Sequence, residues 1–232
     1  MNSNSATGVL RRVTVIDDDE DGRGELMDAL SDFQYEPLEV TGRFENRIDE
    51  LIARIEEQDP GFVICDHRLQ PKQMAQFYGS KLVKELVARK RPAMLLTMYG
   101  SSDRLELKRT RFHVPVIVDR DMFRPEYIGH YFEVCAREIA LDPVDERKPH
   151  RCLIRIDRVT REHGIQIDAI VPSWRPEHAV PIPSECIADE LLNKISDGSY
   201  LLGDVNIGAR TEDDLYFHNV DEIAPPPKDG LD

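Results

Sequence analysis

Three short apolar runs, each ending in a polar group, constrain this chain more than any other feature. Gly61-Phe62-Val63-Ile64-Cys65 runs into Asp66, Val13-Thr14-Val15-Ile16 runs into Asp17-Asp18-Asp19, and Ala93-Met94-Leu95-Leu96 runs into Thr97. An apolar run this short, without helical periodicity, reads as a strand buried on both faces, the kind found in parallel sheets. In open α/β sheets, ligands and chemistry gather at the carboxyl ends of such strands. An acidic cluster, a single Asp and a single Thr are therefore expected along one sheet edge.

The intervening segments supply helices. Residues 19–33 place Leu26, Ala29, Leu30 and Phe33 on one face, residues 44–57 repeat Ile48, Leu51, Ile52 and Ile55, and Leu82, Leu86 and Val87 mark a third helix. A fourth, strongly charged helix is predicted over 103–111, and a fifth over 125–140 with Ile128, Phe132, Cys135 and Ile139 inward. With further strands at 37–40 and 115–118, strands alternate with helices five times. That alternation predicts a five-stranded doubly wound parallel sheet with helices on both faces over residues 9–141. The loop over 70–80 is longer than such a fold needs. Residues 142–150 are charged, bracketed by prolines and read as a linker. Beyond them the pattern turns β-rich. Runs at 153–159 and 165–171 flank His163-Gly164 as a hairpin, a short helix falls within 184–195, and further strands fall at 200–209 and 215–220. Residues 151–223 are thus expected to form a small, mostly-β barrel or sandwich with Trp174 in its core, followed by a flexible proline-rich tail over 224–232.

The ordered set Asp17-Asp18, Asp66-His67-Arg68-Leu69 and Thr97 resembles the receiver domain of two-component response regulators, over about residues 9–141. The resemblance implies that Asp66 is the phosphoacceptor, supplied by a histidine kinase or phosphotransfer protein, and that the Thr97 hydroxyl bonds the phosphoryl group. It implies a Mg²⁺ site made by Asp17, Asp18, Asp66 and the backbone carbonyl of Arg68. Such a set of oxygen ligands suits Mg²⁺, and without a cation the carboxylates repel and at least one pKa rises. The family's lysine after the fifth strand is replaced, in Val118-Asp119-Arg120-Asp121-Met122, by Arg120. Its aromatic switch position falls on Val116 or Ile117, its usual small residue after Thr97 is Met98, and Gln70 precedes the family's proline, here Pro71. Arg68 and Tyr99, each two positions beyond a site residue, are expected to border the phosphoryl group.

Composition narrows the partners. The chain is 32% charged and 41% hydrophobic with a net charge of −14, ordinary for a soluble globular protein. It lacks the run of roughly 18 apolar residues that a membrane span needs, and its first residues lack the order of a signal peptide. Cys65, Cys135, Cys152 and Cys186 are far apart without metal-type spacing, so reduced thiols in a cytoplasmic protein are expected. Residues 144–232 carry 18 acidic and 10 basic side chains, a net of −8. Because DNA binding rests on neutralising phosphates with Lys and Arg, a protein partner is expected there and DNA is disfavoured; a homodimer stays open. His163, His178 and His218 are scattered and form no catalytic set. The expected function is signalling, not enzymatic turnover. Two alternatives stay open: a non-phosphorylated pseudo-receiver scaffold, and a haloacid-dehalogenase-type phosphatase using Asp17 and Asp19. The second lacks an apolar strand running into a late acidic pair, and it leaves Asp66 unexplained.

Overall fold

The computed structural model describes residues 11–98, 103–162 and 164–226. Their packing divides the chain into two units, one of residues 1–100 and 113–143, the other of residues 101–112 and 144–232.

The first unit is built on β1 (Arg12–Ile16), β2 (Glu36–Glu39), β3 (Phe62–Asp66), β4 (Ala93–Thr97) and β5 (Ile117–Asp119), in the order β2-β1-β3-β4-β5. All four pairings are parallel. The apolar runs sit in the middle, where Val13, Val15, Phe62, Ile64, Met94 and Leu95 are buried. α1 (Glu20–Asp32) starts where the sequence places it: the Asp19 carboxylate accepts from the Gly22 N–H at 3.1 Å, and Glu20 and Asp21 occupy the first turn, the end of a helix that favours negative charge. α2 (Ile48–Glu57) buries Leu51, Ile52 and Ile55 but starts four residues later than its periodicity predicts. Residues 44–47 are drawn instead to the long loop, with Phe44 N–H donating to Met74 O at 2.7 Å and Gln76 N–H to Glu45 O at 2.8 Å. β5 likewise begins two residues late, after Pro115, which has no N–H to give the ladder. α5 (Ile128–Ile139) follows a 3-10 turn and buries Ile128, Val134 and Cys135, while Phe132 meets the Phe62 ring edge-on at 6.1 Å.

A close approach lies under the end of β3. α3 (Gly79–Ala88) opens on Gly79, whose N–H donates to His67 O at 2.8 Å. A Cβ at Gly79 would lie 1.9 Å from the Asp66 carbonyl oxygen and 2.8 Å from Cys65 Sγ.

The second unit carries a five-stranded antiparallel sheet, in the order β10-β9-β6-β7-β8, from β6 (His150–Thr160), β7 (Gln166–Ile170), β8 (Ala179–Pro181), β9 (Tyr200–Val205) and β10 (Phe217–Ala224). After β8 the chain returns to the far edge, where Ile187 bridges Val220 and the Ala188 N–H donates to Val220 O at 2.9 Å. The core of this unit gathers Ile154, Ile156, Val180, Leu201, Leu215 and Val220. Gly203 is needed on the inner face, because a Cβ there would meet Val220 Cγ2 at 2.6 Å. Trp174 is half-buried against this core and donates from Nε1 to Ala209 O at 2.7 Å. The sequence did not suggest β8, which is three residues long and ends in a proline.

The helix between β4 and β5, read from the sequence as part of the first domain, packs with the second unit. This is α4 (Arg104–Thr110). Arg104 grips Asp213 with two bonds of 3.0 and 3.2 Å, Arg111 reaches Asp214 at 2.8 Å, and Phe112 stacks on His218 with ring centres 3.7 Å apart. Buried Arg147 donates to the carbonyl of Phe112 at 3.0 Å and closes the end of the helix. Among the described residues no helix is long and apolar enough to cross a membrane.

Two glycines make opposite tests of this packing. Gly79→Ala drives a methyl into backbone that cannot give, and is expected to cost about 3 kcal/mol or more. Gly24→Ala, in α1 where nothing lies within 4 Å of the added carbon, is expected to stabilise by about 0.5–1 kcal/mol. Urea unfolding of the two variants beside wild type measures both; equal midpoints for all three would contradict the packing described.

Candidate functional site

β1 and β3 are neighbours, with Ile16 opposite Cys65, so the residues that follow them leave the sheet together. Asp17, Asp18 and Asp66 each bring a carboxylate oxygen to within 4.8 Å of the others. Most of those oxygens already accept a hydrogen bond. Asp17 Oδ1 accepts from the Asp19 N–H at 2.9 Å, Asp18 Oδ2 from the Lys72 N–H at 2.5 Å, and Asp66 Oδ2 from the Arg68 N–H at 2.8 Å. The remaining partner is Arg120, in the turn after β5. Its Nη2 donates to both Asp17 Oδ2 and Asp66 Oδ1, the latter at 3.0 Å, and its Nη1 reaches the Gly22 carbonyl at 3.4 Å. The guanidinium therefore spans two of the three carboxylates.

The electrostatics follow from burial and crowding. Burial, followed by the charge of Asp17, pushes the Asp66 carboxyl up to about 6, although Arg120 and the Arg68 N–H pull the other way. Burial also raises Asp18, with Asp17 and Asp19 adding to it. For Arg120, burial opposes the charge, but the bonds to Asp17 and Asp66 outweigh it and raise its pKa. Asp19 behaves otherwise: the Gly22 N–H, then Lys72, lower its pKa, as befits a helix cap.

Thr97 ends β4 one strand further along the same edge, where Leu96 pairs with Asp66. It is buried, and its hydroxyl has no hydrogen-bond partner among the described residues. The site opens into a cavity of about 520 Å³ lined by the three aspartates, Arg68, Lys72, Met98 and Arg120, among others. The Arg68 residue is exposed and touches the site through its main chain. Val116, just before β5, and Ile117, its first residue, are both aliphatic. Tyr99 lies outside the described residues.

The structure adds contributors that spacing could not reveal. Lys72, from the long loop, caps Asp18 with its main chain and brings Nζ to 3.5 Å from Asp19. Buried His67 stacks on Tyr78, ring centres 4.8 Å apart. The one sequence signal for these was the extra length of the loop over 70–80.

No protein-family model matches the chain, and no curated protein matches it. Among solved structures, the chain is similar to the receiver domain of NtrX from Brucella abortus, with 20% identity and a TM-score of 0.41, covering 54% of this chain and 98% of that one. It is similar to a response regulator receiver domain protein from Clostridium thermocellum, with 15% identity and a TM-score of 0.42, covering 57% and 98%. A third is SdrG from Pseudomonas melonis in its BeF3-activated conformation, with 16% identity and a TM-score of 0.39, covering 55% and 98%. These neighbours are receiver domains. In this chain the first unit is a five-stranded parallel sheet with helices, and the second is an antiparallel β module.

The raised Asp66 pKa carries a stability consequence. An acid whose folded pKa lies above its unfolded value is protonated more readily in the fold, so its contribution to stability falls as pH rises from about 4 through 6. Asp66→Asn removes that loss. In chelator-containing buffer it is expected to be more stable than wild type by about 1–3 kcal/mol at pH 7, with the difference vanishing near pH 4. Denaturant melts at the two pH values decide it; an equal or destabilising effect at pH 7 would overturn the assignment of a strained, ionised Asp66.

Proposed function

We propose that the first unit is a phosphorylatable receiver and that the chain is a response-regulator-like signalling protein. The observation that carries this reading is the meeting of Asp17, Asp18 and Asp66 at two adjacent strand ends, with Arg120 laid across Asp17 and Asp66. In support, the buried hydroxyl of Thr97 on the same edge has no partner among the described residues, a position suited to a phosphoryl oxygen.

The donor set fits a hard divalent cation such as Mg²⁺: three carboxylates in reach of one another, with several lone pairs still free on oxygens that each accept one bond. Asp17, Asp18 and Asp66 would hold it with the Arg68 carbonyl. When bound, such an ion neutralises charge on a transferring phosphoryl group. The chain's own residues do the rest. The Arg68 N–H orients the Asp66 carboxylate through Oδ2. Asp66 attacks the phosphorus of a phosphohistidine on a kinase or phosphotransfer protein; an O–P bond forms, the P–N bond breaks, and the leaving imidazole takes up a proton. Thr97 and Arg120 donate hydrogen bonds to the phosphoryl oxygens, Arg120 with the charge that strengthens them. The reaction is a single modification, not turnover.

Against the phosphatase reading, Asp19 is engaged as the cap of α1 and faces Lys72, which leaves it poorly placed as an acid–base group. For the second unit we infer a protein partner, since its residues 101–112 and 144–232 together carry 20 acidic and 14 basic side chains, a net charge of −6.

Intact mass after incubation with a small phosphodonor and Mg²⁺ tests the reading. Wild type is expected to gain one phosphate, Asp66→Asn none, and Thr97→Ala to label more slowly. Labelling of Asp66→Asn at the wild-type level would sink it. For the second unit, fluorescence anisotropy of labelled duplex DNA with the full chain at low salt is expected to show no saturable binding. Tight, salt-sensitive binding would refute the inference of a protein partner.

A further inference from the structure

We propose that Arg120 is the resident cation of this site: its guanidinium holds the Asp17–Asp66 pair where a divalent ion would bind, so that ion binding and release of the guanidinium are one exchange. The proposal rests on the reading of the three aspartates as a cation site and asks what already balances their charge.

Three observations carry it. One nitrogen, Arg120 Nη2, is shared by Asp17 Oδ2 and Asp66 Oδ1. Those two oxygens come from two of the three residues that would ligate an ion. The second observation is room made for the guanidinium. Gly22 sits in the first turn of α1, where glycine weakens a helix, and a Cβ there would lie 2.9 Å from Arg120 Nη1 and 3.3 Å from Asp19 Oδ2. The Gly22 carbonyl also accepts from Nη1 at 3.4 Å, so the first turn of α1 is part of the cradle. The third is chemical. A guanidinium is planar, permanently charged and able to donate through several N–H groups at fixed angles, so it can bridge two carboxylates and a carbonyl together.

The consequence is competition. A small, strongly hydrated ion must take lone pairs from oxygens that now face the guanidinium, and two positive charges cannot share the pair at close range. Loading the ion sends Arg120 away from Asp17 and from the Gly22 carbonyl, toward the open cavity. The arginine thereby sets how much divalent ion is needed, and its position reports whether the ion is bound.

The test is calorimetric titration of Mg²⁺ into the full chain at fixed ionic strength, in wild type, Arg120→Ala and Gly22→Ala. Arg120→Ala is expected to bind Mg²⁺ roughly ten- to a hundredfold more tightly, the worth of hydrogen bonds to charged groups. Gly22→Ala is the discriminating variant, because it keeps the arginine's charge and crowds its guanidinium most, at 2.9 Å, against 3.3 Å to Asp19 Oδ2 and an ordinary 3.6 Å to Asp17 Oδ2; it is expected to tighten binding roughly tenfold. If Arg120→Ala tightens binding and Gly22→Ala does not, only charge has been removed and the exchange is wrong. In wild type, the Arg120 Nε–H resonance must shift as Mg²⁺ saturates; a resonance that stays put overturns the proposal, and this measurement stands even if a variant fails to fold. Absence of Mg²⁺ binding in all three proteins overturns it too. Phosphate incorporation at Asp66 is read separately by mass, so the exchange and the phosphoacceptor role can fail independently.

Discussion

Carboxylates delivered to the ends of buried parallel strands repel one another, and this sheet edge is arranged around that repulsion. The cost is visible at Asp66, whose carboxyl is pushed up to about 6 by burial and by its neighbour Asp17. It would be larger without the donors aimed at the cluster: one guanidinium and the main-chain N–H groups of Asp19, Arg68 and Lys72. Main-chain donors are well suited to the task because they are fixed by the turns that hold them and carry no side-chain freedom to lose. The cluster is thus pre-organised by the fold before any ligand arrives.

That arrangement explains two oddities of the chain. The long loop after β3 is more than an excursion: its far part pairs with residues 44–46, through Phe44, Glu45 and Gln76, and its near part presents the Lys72 N–H to Asp18. Glycines at positions 22 and 79 serve close approach instead of backbone flexibility. At Gly22 the space belongs to Arg120, and at Gly79 to the backbone of the Asp66 strand. A Cβ at either position would press on atoms of the acidic site without replacing an acidic residue.

The second unit is held by a different balance. Its core is aliphatic, but α4 is tied to it by charge: Arg104, Arg109 and Arg111 pair with Asp213, Glu185 and Asp214. Lys108 is buried beside the Pro181 carbonyl and Glu212, at 3.4 and 3.7 Å, and burial lowers its pKa. Exposed ion pairs each contribute little, so the helix depends more on the buried Leu107 and on the Phe112 ring stacked against His218. A helix that sits between two strands of one unit in the chain, yet packs on the other, is where the two units share sequence.

What the sequence determined by itself was local and periodic. The apolar run before Asp66 could be buried on both faces only as an inner strand, and the same argument put Asp17 and Thr97 on its edge. The acidic start of α1 was legible for a similar reason, since it depends on residues a few positions away, whereas Arg120 was named only through the family resemblance. What tertiary structure decided was non-local. The late start of α2 was set by a partner about thirty residues on, and β8 by its ladder to β7, which outweighs the poor strand propensity of Ala-Val-Pro. The move of α4 to the second unit was decided by acidic partners about a hundred residues away, which no periodicity within the helix could indicate. The same holds for the site: the aspartates were readable one by one, but the sharing of a single guanidinium between two of them, in space left by a missing Cβ, exists only once the strands are side by side.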